Sequence, residues 1–307
     1  MTVNNNSGIL IVGSIAFDSV ETPVGSVEKA LGGSATFASI AASYFASPRV
    51  VAVVGEDFGD EHIARLTSRG IDTKGIERIA GGKTFHWKGK YHENMQDRDT
   101  LETCLNVFEG FDPVLPDGYK ESDYVFLGNI DPKLQAKVLD EVGHARFVGM
   151  DTMNFWITKT PGDLRSVLRK VDVLFINDEE SFQLSGERQV LGAAEEILKL
   201  GPKYVVIKRG EYGALLFGHD LRLFVPAVLL PSIVDPTGAG DAFAGGFMGF
   251  MAGATKITRS TLAQSMVAGT VMASFAVEAF SIDGLLELDT LMINNRRDEL
   301  RSMVDHD

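Results

Sequence analysis

Short runs of uninterrupted apolar residues recur along this chain, and between them the apolar positions fall three and four residues apart. The runs predict buried strands over 9–15, 49–54, 124–127, 147–150, 173–176 and 204–208. The intervening spacing predicts helices over 34–45, 61–68, 132–142, 162–171 and 191–200, then an apolar helix over 242–254 and a last helical stretch over 256–279. Strands without a polar face, each followed by an amphipathic helix, build a mostly parallel sheet covered on both sides. An antiparallel hairpin is expected where 215–217 and 222–225 flank Gly218-His219-Asp220. Two stretches, 17–31 and 79–108, break the alternation. In the second, Phe85, Trp87 and Tyr91 mostly alternate with polar residues, as in a half-buried strand. Neither stretch fits a crossover helix, and together they predict a small antiparallel sheet over one end of the core.

A chain of 307 residues with 45% apolar content buries one large core with a smaller appendage. Its net charge of −13 argues against nucleic acid or an acidic membrane surface as a partner. The single cysteine, Cys104, has no partner for an internal disulfide, which suits a reducing, cytoplasmic setting, and it lacks neighbouring His or Cys ligands in sequence. No signal peptide is visible, since the first apolar run follows an Asn-rich start without basic residues. Gly245, Gly249 and Gly253 stand four apart, as on a membrane packing face, but the apolar run is too short to span a bilayer and Asp241 bounds it. A closely packed buried helix is the expectation there. The six histidines show no metal-ligand spacing, and the chain has no Gly-x-Ser-x-Gly elbow, no Walker-type P-loop and no Gly-x-Gly-x-x-Gly after the first strand.

The segment Val234-Asp235-Pro236-Thr237-Gly238-Ala239-Gly240-Asp241-Ala242-Phe243 places an acid just after a Gly-Ala-Gly turn, where an apolar helix begins. A helix N-terminus carries unpaired N–H groups and positive partial charge, and Gly238 and Gly240 let its backbone approach an anion. Asp241 in the first turn then sits where a carboxylate takes a proton from an attacking hydroxyl. The plainer alternative is a turn followed by a helix cap. The ten-residue pattern resembles the C-terminal signature of the PfkB, or ribokinase-like, family of sugar and nucleoside kinases. The resemblance runs from Gly8 to about Ser281 with the main elements in family order. It implies a three-layer α/β/α core with a mostly parallel sheet and a small β-sheet lid. The core would comprise 1–16, 32–78 and 109–307, and the lid 17–31 and 79–108.

Other segments gain meaning beside that signature. Asp18 follows the first strand, and ligands of open α/β sheets bind at strand carboxyl ends. It matches the family carboxylate that holds the acceptor's diol. Gly32 and Gly33 match the N-terminal glycine pair that lets backbone approach the substrate. Phe37 stands where the family usually has Asn, and two readings remain open: core packing, or an aromatic contact to an apolar part of the substrate. Asp151 and Asn154 lie after another strand, with contact to substrate and a polar turn as equal readings. Asn177 and Glu180 form a helix N-cap whatever else they do, and match the family's Asn-x-x-Glu element, which organises Mg²⁺ and the ATP phosphates through water. Lys208, Gly210 and Gly213 match the Gly-x-x-Gly segment lining the ATP site, with Thr237 beside them and Arg209 free to pair with a surface acid. Asp235 matches a position that binds a monovalent cation in some relatives. Lys83, Lys88, Lys90 and Arg98 in the lid could meet a substrate phosphate, and the reading preferred here is a solvated face.

The resemblance therefore implies a cytoplasmic kinase that moves the γ-phosphoryl group of Mg-ATP to a primary hydroxyl of a sugar or nucleoside. Asp241 would be the base, the amides of Gly238, Ala239 and Gly240 would hold the transferred group, and a homodimer would form through the lid. A non-catalytic sugar- or nucleotide-sensing module on the same fold is the alternative.

Overall fold

A computed structural model of the chain describes residues 8–304. The first strands are β1 (Gly8–Val12), β2 (Ala16–Thr22), β3 (Gly25–Gly32), β4 (Ser47–Gly55), β5 (Asp72–Ile79), β6 (Phe85–Tyr91) and β7 (Arg98–Cys104). They are followed by β8 (Tyr124–Leu127), β9 (Phe147–Asp151), β10 (Val173–Asn177), β11 (Tyr204–Lys208), β12 (Ala214–Gly218) and β13 (Leu221–Val225). Nine of them form one sheet in the order β13-β12-β11-β10-β9-β8-β1-β4-β5. Every pair from β5 to β11 is parallel, and the hairpin β12–β13 closes one edge antiparallel.

Both faces of this sheet are buried, which is why its strands read as unbroken apolar runs. Ile9 and Ile11 point into one core cluster, while Leu10 and Val12 point into the other. The first cluster lies under α1 (Ser34–Ala42), α2 (Asp60–Thr67) and, later in the chain, two long helices. The second lies under α3 (Pro132–Val142), α4 (Asn154–Lys159), α5 (Pro161–Leu168), α6 (Asp178–Ser185) and α7 (Val190–Lys199). The long helices are α8 (Ala239–Gly253) and α9 (Arg259–Ala276), with α10 (Asp283–Leu286) and α11 (Thr290–Ser302) closing the chain. The expected strands, helices and hairpin are present within a few residues, while α4, α10 and α11 were not anticipated and two strands depart from the pattern. The apolar run 9–15 is cut at Val12, because Gly13 passes tightly against Ser34 and sends the chain into β2. Strand β5 carries no continuous apolar run, since it is an edge strand with one neighbour and a half-exposed face.

The glycines at four-residue spacing in α8 make a contact seam. A Cβ on Gly245 would stand 2.2 Å from the Ala38 carbonyl oxygen, and one on Gly249 would stand 2.7 Å from the Ala42 Cα. Helices α1 and α8 therefore touch backbone to backbone. Among the described residues no helix is long and apolar enough to cross a membrane.

The remaining strands form a second sheet in the order β3-β2-β6-β7. Its outer pairs are antiparallel and its central pair, β2–β6, is parallel. It draws on the two stretches that broke the alternation in the sequence.

Candidate active site

Three neighbouring strands of the main sheet end on polar residues: β9 on Asp151, β10 on Asn177 and β11 on Lys208. The Lys208 ammonium donates to Asp151 at 2.8 Å, and both side chains are largely buried. Asn177 accepts the Glu180 N–H at 2.8 Å, while the Glu180 carboxylate accepts the Asn177 N–H at 3.1 Å. This reciprocal capping box starts α6 and holds Glu180 within electrostatic reach of Lys208.

Helix α8 begins opposite these strand ends. Gly238 caps it at φ 76° with no side chain on the first turn's N–H groups, and Asp241 stands in that turn. A Cβ on Gly238 would lie 2.3 Å from the Phe37 ring, so both the backbone angle and the ring beneath demand glycine. A Cβ on Gly240 would stand 3.0 Å from Lys208 Nζ, which places that ammonium against the turn. Asp235, 1% exposed, pins the approach by accepting N–H groups from Thr237 at 2.9 Å and Ser281 at 3.5 Å. Both oxygens are engaged, which gives Asp235 a structural task at the entry to the turn.

Asp18, in β2, packs its carboxylate onto Gly32, where a Cβ would come within 1.9 Å of it. Gly33, at φ 93°, approaches Ser14 and offers its N–H to Asp18. The glycine pair thus serves a close approach of backbone to carboxylate at the mouth of α1.

These acids crowd one another. Burial, with the Asp235 charge next, pushes the Asp18 carboxyl up to about 7 against the pull of the Gly33 N–H. Burial and Asp151 raise Glu180 to about 7, opposed by Lys208. Burial and Asp151 likewise raise Asp241 to about 7, opposed by Lys208 and Arg98. Burial works against the Lys208 ammonium, yet Asp151, Glu180 and Asp241 hold its pKa above the ordinary value. A carboxyl raised on folding binds more protons in the native state than in the unfolded one between its ordinary pKa and about 7. Stability is therefore present at low pH within that window and is lost as pH rises through it. Thermal melts of the ligand-free protein should show a falling midpoint from pH 5 to pH 8; a rising midpoint would contradict the crowding.

Several expectations change. Phe37 is 1% exposed beneath Gly238, so the packing reading holds and the aromatic contact to substrate does not. Asn154 is exposed at the start of α4, and Trp156, two residues on, donates to Asn129. Gly210 is exposed on the rim, and Gly213, at φ 84°, has no room for a side chain, since a Cβ there would stand 2.2 Å from the Val225 carbonyl oxygen. Arg209 pairs with Asp178 at 3.5 Å. Lys88 and Lys90 face solvent in pairs with Glu28 and Glu21, as expected of a solvated face.

Arg98 departs from that group. It lies over the Trp87 ring, hydrogen-bonds Tyr91, and adds positive charge to the surroundings of both Asp241 and Glu180. Tyr91 in turn accepts a hydrogen bond from Thr237 at 3.2 Å. Gln96, in the turn between β6 and β7, donates to Glu211 beside Gly210 at 2.9 Å. The β6–β7 hairpin therefore reaches from the α8 turn to the rim of β11. Sequence reasoning missed Tyr91 and Arg98 as site residues; the signal available was the alternation that puts Tyr91 on the inner face, with Arg98 its partner across the hairpin.

The family profile described as pfkB family carbohydrate kinase matches residues 6–286. The cytidine kinase of Thermococcus kodakarensis is 33% identical over 245 residues, covering 78% of this chain and 87% of that protein. The crystal structure of Methanocaldococcus jannaschii nucleoside kinase, an archaeal member of the ribokinase family, superposes with a TM-score of 0.77 at 17% identity, covering 97% of this chain and 99% of the other. Aminoimidazole riboside kinase from Salmonella enterica, complexed with aminoimidazole riboside and an ATP analog, gives 0.73 at 18% identity over 94% and 99%.

Proposed function

We propose that this chain, which belongs to the pfkB family of carbohydrate kinases, phosphorylates a primary hydroxyl of a nucleoside or sugar from Mg-ATP, with Asp241 as the base. It is a phosphotransferase acting on an alcohol acceptor. The observation that carries the reading is Asp241 itself: an acid with its pKa raised to about 7, in the first turn of a helix that no side chain caps. A base of that strength is half-ionised near neutrality and matched to a hydroxyl proton. The N–H groups of the same turn, around Gly238, Ala239 and Gly240, would meet the charge that grows on the transferred phosphoryl group.

Asp18 would hold the acceptor's hydroxyls, with the Gly32-Gly33 backbone closing on the same ligand. Lys208, held against Gly240 by Asp151, would meet the donor's phosphates. The Asp151 and Glu180 carboxylates supply hard oxygen donors of the kind Mg²⁺ takes alongside phosphate and water, so the residues present fit that ion. When bound, Mg²⁺ offsets charge on the phosphate oxygens. The β2-β3-β6-β7 sheet would be the lid that excludes water and prevents ATP hydrolysis. A homodimer through the lid belongs to the same proposal, and its contact would be polar, since Glu21, Glu28, Lys88 and Lys90 occupy the outer face.

The similarity to a cytidine kinase puts nucleosides first among acceptors. ATP-dependent phosphorylation across pyrimidine nucleosides, purine nucleosides and monosaccharides tests this, with a single strong nucleoside acceptor expected. Turnover restricted to a monosaccharide would overturn the nucleoside assignment, and ATP binding without turnover on any acceptor would overturn the kinase mechanism. Within this mechanism Arg98→Met should lower kcat/KM roughly 10- to 100-fold, the worth of a hydrogen bond to a charged group, without changing the melting midpoint. An unchanged kcat/KM would return Arg98 to the solvated face.

A further inference from the structure

Away from the kinase site, the small sheet carries another cluster of ligand-type side chains. The β6–β7 register sets His86 directly opposite Cys104, and Glu102 lies two residues back along β7 on the same face. One donor atom from each of the three lies within 4.8 Å of the others, with His86 Nδ1 3.6 Å from a Glu102 oxygen. It is the one such His/Cys/Asp/Glu cluster among the described residues. His86 and Cys104 are partly buried, and the thiol donates to Glu102, which keeps it protonated.

The far side of the imidazole is also held. Ser19 follows Asp18 in β2, and its hydroxyl, 1% exposed as a residue, lies 3.0 Å from His86 Nε2. That hydroxyl accepts the Lys29 N–H at 3.0 Å and hydrogen-bonds the Glu28 carboxylate. With its own proton given to Glu28, Ser19 oxygen accepts from Nε2–H. Nδ1 then faces Glu102 and Cys104, and the neutral ring offers its lone pair there to an ion. A neighbour that fixes the tautomer in this way is the usual companion of a metal-ligating histidine.

We propose that His86, Glu102 and Cys104 form a binding site for a divalent transition-metal ion of the zinc type, with water as the fourth ligand. Imidazole nitrogen, thiolate and carboxylate are the donors such an ion takes in tetrahedral geometry. Metal–ligand bonds of about 2.0–2.3 Å set tetrahedral ligands roughly 3.3–3.8 Å apart, a modest contraction of the present cluster. Binding releases the Cys104 proton to solvent, so affinity rises with pH. The soft thiolate separates this site from the Mg²⁺ of the nucleotide, which favours oxygen ligands alone. The cluster straddles β6 and β7, so an ion there would tie together the two strands that carry Tyr91 and Arg98.

The test is a Co²⁺ titration of the metal-stripped, nucleotide-free protein. A thiolate-to-cobalt charge-transfer band saturating at one equivalent is expected, displaced by Zn²⁺ and unmoved by Mg²⁺. Cys104→Ser should abolish the band, and Ser19→Ala should weaken Co²⁺ binding about 10-fold or more by freeing the imidazole. Asp241→Asn should bind Co²⁺ as the wild type does, which keeps this result independent of the kinase reading. Absence of the band, or a band that survives in a folded Cys104→Ser protein, would overturn the site.

Discussion

Asp241→Asn is expected to lower kcat by about 10²- to 10⁴-fold, the usual worth of a positioned general base, while ATP still binds. Asparagine keeps the size and the hydrogen-bonding edge of the side chain but cannot take a proton. The wild-type enzyme should also lose kcat/KM as pH falls below about 7, where Asp241 becomes protonated in the free protein. The variant's residual activity should lack that acid limb. An opposite effect on stability should accompany the loss. Asp241 shares its surroundings with Asp151 and Glu180, so removing its charge relieves repulsion. Above pH 7 the variant should melt no lower than the wild type. An Asp241→Asn enzyme with near-wild-type kcat would exclude the base assignment, whatever its melting behaviour.

Lys208→Met should be nearly as damaging, by a different route. The ammonium is the nearest cation opposing the charges of Asp151, Glu180 and Asp241. Without it the carboxyls can ionise only at a greater cost, so the acid limb of kcat/KM should move above 7. At neutral pH, loss of a charged contact to phosphate and loss of ionised base combine to roughly 10²-fold or more. Breaking a buried pair by removing one partner costs about 3–5 kcal/mol while the other stays charged. Here the penalty should shrink as pH falls, because the carboxyls then take up protons. Melts at pH 5.5 and pH 8 on both proteins measure this directly. An acid limb that stays in place would mean that Lys208 does not set the ionisation of Asp241.

The parts of this site that were legible in the sequence share one property: their role is written locally. The α8 turn declares itself through Gly238, Ala239, Gly240 and Asp241 in consecutive positions. Asp151, Asn177 and Lys208 are each found by asking where an apolar run stops. What was not legible depends on pairing between distant segments. Arg98 looks like any basic residue of a polar hairpin until the register with Tyr91 brings it to the site. Cys104 looks solitary until β6 sets His86 across from it. Phe37 offered two readings because periodicity gives a residue's face but not the turn that will cover it; Gly238, some two hundred residues later, decided the matter. Strand β5 escaped for the complementary reason that an edge strand needs only half the apolar pattern of an inner one.

The glycine seam between α1 and α8 bears on how such an enzyme can change. Each helix starts at one of the two glycine-bearing turns, α1 just after Gly33 and α8 at Gly238. Backbone contact at Ala38 and Ala42 fixes the spacing of those turns like a gauge block. A misplacement of about 1 Å between reacting groups can cost 10²-fold in rate, so the gauge leaves little room for drift. The β6–β7 hairpin is tied to β2 by a backbone ladder, and it meets the α8 turn and the rim of β11 through side-chain hydrogen bonds, Thr237 to Tyr91 and Gln96 to Glu211. The turn at Gly33 and the turn at Gly238 are thus held to one spacing by the helices themselves, while the hairpin side chains rest on a separate part. A lineage could vary the hairpin while inheriting the gauge unaltered.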